Sequence, residues 1–356
     1  MVKNSRFASQ IISWYQHNKR PLPWRETTDP YKIWLSEIIL QQTRVGQGMP
    51  YYQRLIARFP DVFSLARAKE KEVLRAWQGL GYYTRARNLH RCAKVVSKTH
   101  HGIFPATFEA LKKLPGIGPY TAAAIASFSF KEAVPVVDGN VFRVLARVFA
   151  INKDISQHAT KDYFFLLASQ LIPKTSPDEF NQALMEFGAT YCVPQNPNCH
   201  ECIFSKTCEA NRLGLQQALP VKSKKLKVRH RYFYYLVFAK EGKIMMKKRT
   251  SRDIWAGLYD FCLIEADKNR QFQKVMAAAN ANRWVKNIDW QMISKPYRHV
   301  LTHQIILARF VPVMLTAKNN FKKPEPSLKF YSDKAVHALP KPALISRYLA
   351  DAGLLA

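Results

Sequence analysis

Two carboxylates and four thiols carry the chemistry that can be read in this chain. Glu37 stands in the run S-E-I-I-L-Q-Q-T-R-V with Ile33, Trp34 and Leu40 at its i−4, i−3 and i+3 positions. On a helix it therefore shares a stripe with apolar neighbours, where a carboxylate is costly unless paired or protonated. Two readings stand level: a buried Glu salt-bridged to one of the many basic residues, or a general acid of raised pKa. Asp138 follows the apolar residues 134–137 and precedes Gly139-Asn140-Val141. It can be a plain N-cap of a helix beginning near Val141, or a functional carboxylate kept ionised by the N–H groups there. Cys192, Cys199, Cys202 and Cys208 fall within seventeen residues, a clustering that points to metal ligation more than to disulfides. A Cys₄ zinc site usually has two close C-x-x-C pairs, and only Cys199 and Cys202 are so spaced. The spacing favours a [4Fe–4S] cluster and leaves zinc open. Cys92 and Cys262 lie outside the group and read as packing residues.

The elements that must position these groups are legible as patterns. Leu114-Pro115-Gly116-Ile117-Gly118 joins two helical stretches, 107–114 and 120–128. Gly116 and Gly118 leave backbone N–H groups uncovered beside a helix N-terminus, a geometry that binds phosphate. Asp29-Pro30 starts the helix bearing Glu37, expected to run on to Val45. Gln41, Gln42 and Thr43 near its end can enter a DNA groove or fill the gap left by an extruded base; they can equally be surface residues. A stiff turn at Pro21-Leu22-Pro23 precedes Trp24 and Arg25, suited to lining a base pocket or, for the Trp, to packing a domain edge. In 79–87, glycines, Tyr82, Tyr83, Arg85 and Arg87 interleave, which allows close approach, stacking and phosphate contact. For the two tyrosines, core packing is the plain alternative.

The 356-residue chain has room for two or three domains, and 47% apolar residues suffice for ordinary cores. A net charge of +30 calls for a polyanionic partner, most simply nucleic acid, with solubility alone as the alternative. No apolar run reaches the roughly 18 residues that span a membrane, no basic amphipathic helix stands out, and the N-terminus lacks a signal-peptide core. A soluble intracellular protein is expected. A basic stretch at 220–231 without periodicity marks a domain boundary. Beyond it, strands at 232–239 and 243–248 flank a hairpin at Lys240-Glu241-Gly242; 258–264 and 297–313 also read as extended, and 268–282 and 342–353 as helices.

Together these residues resemble the adenine DNA glycosylase family of the helix-hairpin-helix superfamily. The resemblance rests on Leu22-Pro23-Trp24-Arg25, the run around Glu37, G-L-G-Y-Y-x-R-A-R-N-L, L-P-G-I-G-P-Y-T, V-D-G-N-V-F-R and the cysteine loop. It implies a multidomain fold: a mostly α helix-hairpin-helix glycosylase domain over 1–219, with the hairpin at 107–128 and an iron–sulfur loop at 192–208. A basic linker, 220–231, and an α+β Nudix-like lesion-recognition domain, 232–356, would follow. The implied activity is monofunctional removal of adenine mispaired with 8-oxoguanine or guanine in duplex DNA. A [4Fe–4S] cluster on the four cysteines and a cation at the hairpin would be the bound groups. A monomer with repair or replication partners, in the cytoplasm at the nucleoid, is the implied setting.

By the same resemblance, Glu37 would protonate N7 of the flipped adenine and Asp138 would stabilise the sugar cation, with Asn140 and Tyr120 positioning both. Trp24, Arg25, Leu40 and Gln182 would surround the base, while Gln42 and Tyr82 would enter the stack near the 8-oxoguanine. Bifunctional relatives carry a lysine where this chain has Tyr120, which disfavours an endonuclease III-like lyase acting on oxidised pyrimidines. Leu301-Thr302-His303 replaces a Phe-Ser-His lesion-reading loop and keeps Thr302 and His303 as candidate readers. No glutamate-rich Nudix box follows Gly257, so pyrophosphate hydrolysis is disfavoured. A non-catalytic DNA-binding protein of this fold would need neither Glu37 nor Asp138.

Overall fold

The computed structural model describes residues 4–223, 228–250, 253–266, 292–301, 303–315 and 323–354. They pack as two units, 1–67 with 88–225, and 68–87 with 226–356. Residues 68–87, expected within the helical domain, thus group by packing with the C-terminal strands.

The helices of the chain up to residue 213 are α1 (Asn4–Asn18), α2 (Pro30–Leu40), α3 (Val45–Arg58), α4 (Val62–Arg67), α5 (Glu70–Ala76), α6 (Tyr83–Thr99), α7 (Phe108–Leu111), α8 (Pro119–Phe130), α9 (Gly139–Val148), α10 (His158–Leu171), α11 (Pro177–Thr190) and α12 (Glu209–Leu213). In α2, the Asp29 carboxylate accepts from Tyr31 N at 2.9 Å and Pro30 occupies the first turn, as its sequence dictates. The helix stops at Leu40 instead of continuing to Val45. Gln41 leaves helical geometry, Gln42 is left-handed (φ 57°), and Arg44 begins α3 in an extended conformation. A left-handed residue cannot propagate a right-handed helix; the break separates the Glu37 helix from its successor.

In the first unit, the core gathers Phe7 of α1, Phe164 of α10 and Phe180 and Phe187 of α11. Phe204, from the cysteine loop, stacks on Phe7 at 5.0 Å. The loop is therefore part of this core. The hairpin forms where expected, with shorter first and longer second helices. Thr107 caps α7 by accepting from Ala110 N, and the Glu132 carboxylate takes the Phe108 N–H at 2.6 Å. Gly116 is obligatory on two counts. Its φ is +77°, and a Cβ there would stand 2.6 Å from Asn88 Cβ.

Among the described residues, the second unit holds a seven-stranded mixed sheet: β1 (Arg229–Lys240), β2 (Lys243–Lys248), β3 (Tyr259–Asp260), β4 (Cys262–Ala266), β5 (Tyr297–Leu301), β6 (Gln304–Met314) and β7 (Lys329–Ser332). β1 is its spine, parallel to β6 and antiparallel to β2 and β4. The β1–β2 turn has Glu241 and Gly242 both left-handed, the hairpin geometry that suits strand twist. The expected extended stretches 258–264 and 297–313 are each two strands. Tyr348, on the helix Ala343–Asp351, stacks on Phe310 of β6 at 3.9 Å. A further helix, Asp333–Ala338, precedes it. The helix expected at 268–282 lies outside the described residues. Among the described residues no helix is long and apolar enough to cross a membrane.

Candidate active site

A cleft of about 680 Å³ opens in the first unit, and Glu37, Tyr120, Asp138 and Asn140 line it together. They come from α2, α8 and the start of α9, with Glu37 more than a hundred residues before Asn140. Glu37, only 6% exposed, projects from the middle of α2. Burial pushes its pKa up to about 7, and nearby Asp138 adds to the rise; a hydrogen bond from Tyr120 and the charge of Arg25 act in the opposite direction. Burial and the two carboxylates raise the Tyr120 phenol well above its ordinary value. Tyr120 sits in the first turn of α8, where the hairpin delivers it.

Asp138 is both a cap and a cleft residue. Its Oδ1 accepts from the N–H groups of Asn140 and Val141, each at 2.8 Å, and its Oδ2 accepts from Asn140 Nδ2 at 2.8 Å. Three donors fix its plane. Burial nevertheless outweighs them, and the net direction of its pKa is upward. The approach to Asp138 is pinned by buried Asn181, which bonds Val134 O, Ser127 Oγ and the Val136 N–H, each at 2.9 Å. Asn140 is held from outside by Arg143, whose Nη2 donates to Asn140 Oδ1 at 2.8 Å and Gly188 O at 2.6 Å. The same guanidinium donates from Nε to Cys192 O at 2.8 Å. Gly188 permits this closeness, since a Cβ there would lie 2.7 Å from Asn140 Cβ and 2.9 Å from Asn140 O.

The far wall is a charge cluster. The Glu186 side chain is fully buried and accepts from Arg20 Nε and Nη2, both at 2.6 Å, and from Arg25 Nη2 at 2.7 Å. Burial opposes its ionisation, but these guanidinium bonds outweigh it and bring the pKa down to about 2. Arg25 also lies 5.5 Å from the Tyr15 ring centre. The Tyr15 hydroxyl donates to Gln182 Oε1 at 2.8 Å, which orients that amide and leaves its NH₂ as the donating end. Trp24, Leu40 and Thr43 are among the other lining residues; Trp24 packs edge-on against Tyr52 at 5.1 Å. The cleft thus offers an acid, a fixed carboxylate, aromatic and apolar walls and oriented hydrogen-bond groups.

Beside it, Cys192, Cys199, Cys202 and Cys208 line one cavity with Phe187, Phe204 and Val148. As bare thiols, Cys202 is pushed by burial up to about 11 and Cys208 is also raised, with the other cysteines adding to both. Only a cationic group among them makes four adjacent thiolates tenable. Among the described residues no three His, Cys, Asp or Glu side chains stand at single-ion spacing. Buried Arg147 donates to Cys192 Sγ at 3.4 Å and to Val193 O at 2.7 Å. Second partners of this kind orient metal ligands. The donor set and its wall fit an iron–sulfur cluster.

With this geometry in place, similarity to known proteins identifies the family. Residues 35–168 match the HhH-GPD superfamily of base excision DNA repair proteins, and 233–351 match the NUDIX domain. An adenine DNA glycosylase of Buchnera aphidicola subsp. Schizaphis graminum is 32% identical over 339 residues, 94% of this chain and 96% of that protein. This chain belongs to the adenine DNA glycosylase family. The human adenine DNA glycosylase is 43% identical over 222 residues, 60% of this chain and 41% of its own. A solved thermostable thymine-DNA glycosylase aligns with a TM-score of 0.54 and 31% identity, over 58% of this chain and 95% of its own. An endonuclease III–DNA complex shares the fold, with a TM-score of 0.51 at 19% identity over 60-odd per cent, 61%, of this chain and 100% of its own. The chain is accordingly a DNA N-glycosylase of base excision repair, acting on adenine.

Not every candidate of this glycosylase meets in the cleft. Gln41 donates from Nε2 to Thr121 Oγ1 at 3.2 Å and so ties α2 to α8. Gln42 is exposed on its left-handed backbone. Gly116 and Gly118 lie in the hairpin; nothing stands within 4 Å of a Cβ built at Gly118, which leaves room for close approach. Tyr82 (φ 47°, 41% exposed) and exposed His303 belong to the second unit. Thr302 lies outside the described residues. Sequence reading missed Arg20, Tyr15, Arg143, Gly188 and Glu186. Glu186 carried a signal: an acid between Met185 and Phe187 in an apolar helical run, the same anomaly that singled out Glu37.

Proposed function

We propose that this glycosylase excises adenine mispaired with 8-oxoguanine, or with guanine, from duplex DNA. The observation that carries the reading is Glu37, buried with a pKa near 7 and facing Asp138 across one cleft. Adenine must leave the stack for its reacting atoms to be reached. Once in the cleft it is flanked by Trp24 and Leu40, with Arg25 and Gln182 toward its polar edges. Glu37 gives its proton to N7. The C1′–N9 bond breaks with its electron pair passing to the base, and Asp138 stabilises the cationic sugar. Water adds at C1′, and its proton goes to a carboxylate. The division of labour parallels two-carboxylate sugar hydrolysis. Asn140 and Tyr120 hold the two carboxylates in position.

Cys192, Cys199, Cys202 and Cys208 would hold a [4Fe–4S] cluster, which supplies cross-linking of the loop to the core. The hairpin around Gly116 and Gly118, with its glycine-exposed backbone and a cation, would grip phosphate. On the lesion side, Gln42 and Tyr82 would enter the stack and His303, with Thr302, would read the 8-oxoguanine. The working setting is a monomer at the nucleoid, open to repair or replication partners.

Single-turnover release on matched duplexes carrying A:8-oxoG, A:G, A:T and thymine glycol tests the reading. Release from the two mispairs alone is expected, and Glu37→Gln should abolish it while leaving mispair binding nearly intact. Full activity of that variant removes Glu37 from its role. Release from thymine glycol with efficient borohydride trapping of a covalent adduct would instead establish an endonuclease III-like lyase, against which the phenol of Tyr120 stands.

A further inference from the structure

Tyr82 sits on an unusual stretch of backbone. Gly79 (φ 99°), Gly81 (φ 78°) and Tyr82 itself (φ 47°) are all left-handed, a conformation a bulky residue adopts only when its surroundings impose it. Those surroundings can be named. Trp77 is fully buried, and its Nε1 donates to Gly81 O at 2.9 Å. The Arg85 guanidinium lies 5.4 Å from both the Trp77 and the Tyr82 ring centres. The turn is then joined to the end of the chain. Gln78 Nε2 donates to Ser346 Oγ at 3.0 Å, and Gln78 Oε1 accepts from Lys341 N at 3.2 Å and from Arg75 Nη1 at 2.7 Å. The Tyr83 hydroxyl donates to Lys341 O at 3.4 Å and accepts from Gly79 N at 3.3 Å. Lys341 is itself immobilised: it is 1% exposed, and its ammonium donates to the carbonyls of Val336 and Leu339. Ser346 lies on the helix whose Tyr348 stacks on Phe310 of β6, the strand entered directly after His303.

We propose that Gln78 is a positioning residue for the lesion side of the substrate: its amide clasps Lys341 and Ser346 and thereby makes the Tyr82 turn part of the packed body that carries His303. The wedge and the reader of the opposite purine are then set by one scaffold, although 220 residues separate them in sequence order, from 82 to 303. This rests on the assignment of Tyr82 and His303 to the 8-oxoguanine side.

The test uses the full-length protein and compares A:8-oxoG with A:G, in duplex binding and in adenine release. Gln78→Met keeps the volume and removes the amide bonds. It should lower the preference for A:8-oxoG by about tenfold, a size typical of coupling between sites. Gln78→Glu, whose carboxylate can still accept from Lys341 N, Arg75 and the Ser346 hydroxyl, should recover most of it. Added to Tyr82→Ala, Gln78→Met should cost little more, since both act through the same ring. If Tyr82→Ala loses the preference and Gln78→Met keeps it, the clasp is overturned and the role of Tyr82 stands. If Tyr82→Ala keeps the preference, the assignment of Tyr82 falls and the proposal falls with it. An equal loss on both duplexes, or fully additive effects of the two substitutions, would mark Gln78 as merely structural and also overturn the proposal.

Discussion

At the scale of single residues, the decisive quantity is the proton on Glu37. Its folded pKa of about 7 lies above the ordinary value of 4.5, chiefly through burial. The sign of the consequence is fixed. Stability from the protonated form is fully present below about pH 4.5 and is lost as pH rises through 7. Above that, the folded state carries a penalty of the order of 3 kcal/mol for ionising a buried group. Glu37→Gln abolishes this titration while keeping an acceptor for Tyr120. The variant should therefore melt above the parent at pH 8, with the gap narrowing toward pH 5; a gap independent of pH would show that Glu37 titrates normally. Adenine release by the parent should decline as pH passes through about 7, since the acid form is consumed. Asp138 shows how two readings of one residue can coexist geometrically, because it caps α9 and also lines the cleft.

At the scale of elements, the approach of α9 to α11 sets the site. Gly188 leaves space for Asn140, and Arg143 ties Asn140 to Gly188 O and Cys192 O. Gly188→Ala would force a Cβ against backbone, not against the end of a flexible side chain. The helices must separate, at a cost of about 1–3 kcal/mol for overpacking, and Asn140 and Asp138 must shift with α9. Adenine release should fall by about tenfold or more, because misplacement of reacting groups by 1 Å can cost that much; urea denaturation and single-turnover rates check the two effects. Normal values of both would mean that α9 and α11 have slack at this contact. The fold order around the site was partly legible beforehand. Asp29-Pro30, Thr107 and Asp138 each announce a helix start through short-range bonding that needs no tertiary partner. The end of α2 was not legible, because Gln41 and Gln42 fit a helix as well as a turn; the bond from Gln41 to Thr121 of α8 is a tertiary contact.

At the scale of the whole molecule, charge is the dominant fact. A net +30 on 356 residues should appear in solution as steep salt dependence of duplex binding. If phosphate contacts number about six or more, affinity should fall by roughly a thousandfold between 50 and 200 mM salt, measurable by fluorescence anisotropy. A flat dependence would assign the charge to solubility. The packing division adds a second molecular feature: residues 68–87 group with 226–356. A linear reading places a boundary at the basic stretch 220–231 and has no means of assigning an earlier segment to the later body.

The sequence by itself determined what local chemistry determines. An acid on an apolar stripe, glycines at a helix turn, a carboxylate before a helix and four clustered thiols each carry their meaning within a few residues. It left the state of Glu37 level between ion pair and raised acid. Only the tertiary structure decided that it bonds to Tyr120, with Arg25 nearby and burial as the larger influence. Likewise, only folding brings Arg20, Arg25 and Glu186 together, sets Gly188 against Asn140 and joins Gln78 to Lys341 and Ser346. The physical reason is the same throughout. Capping and turn formation depend on neighbours in sequence, whereas burial, pKa and steric fit depend on neighbours in space, and those come from segments distant in the chain, 166 residues apart for Arg20 and Glu186 and 263 for Gln78 and Lys341.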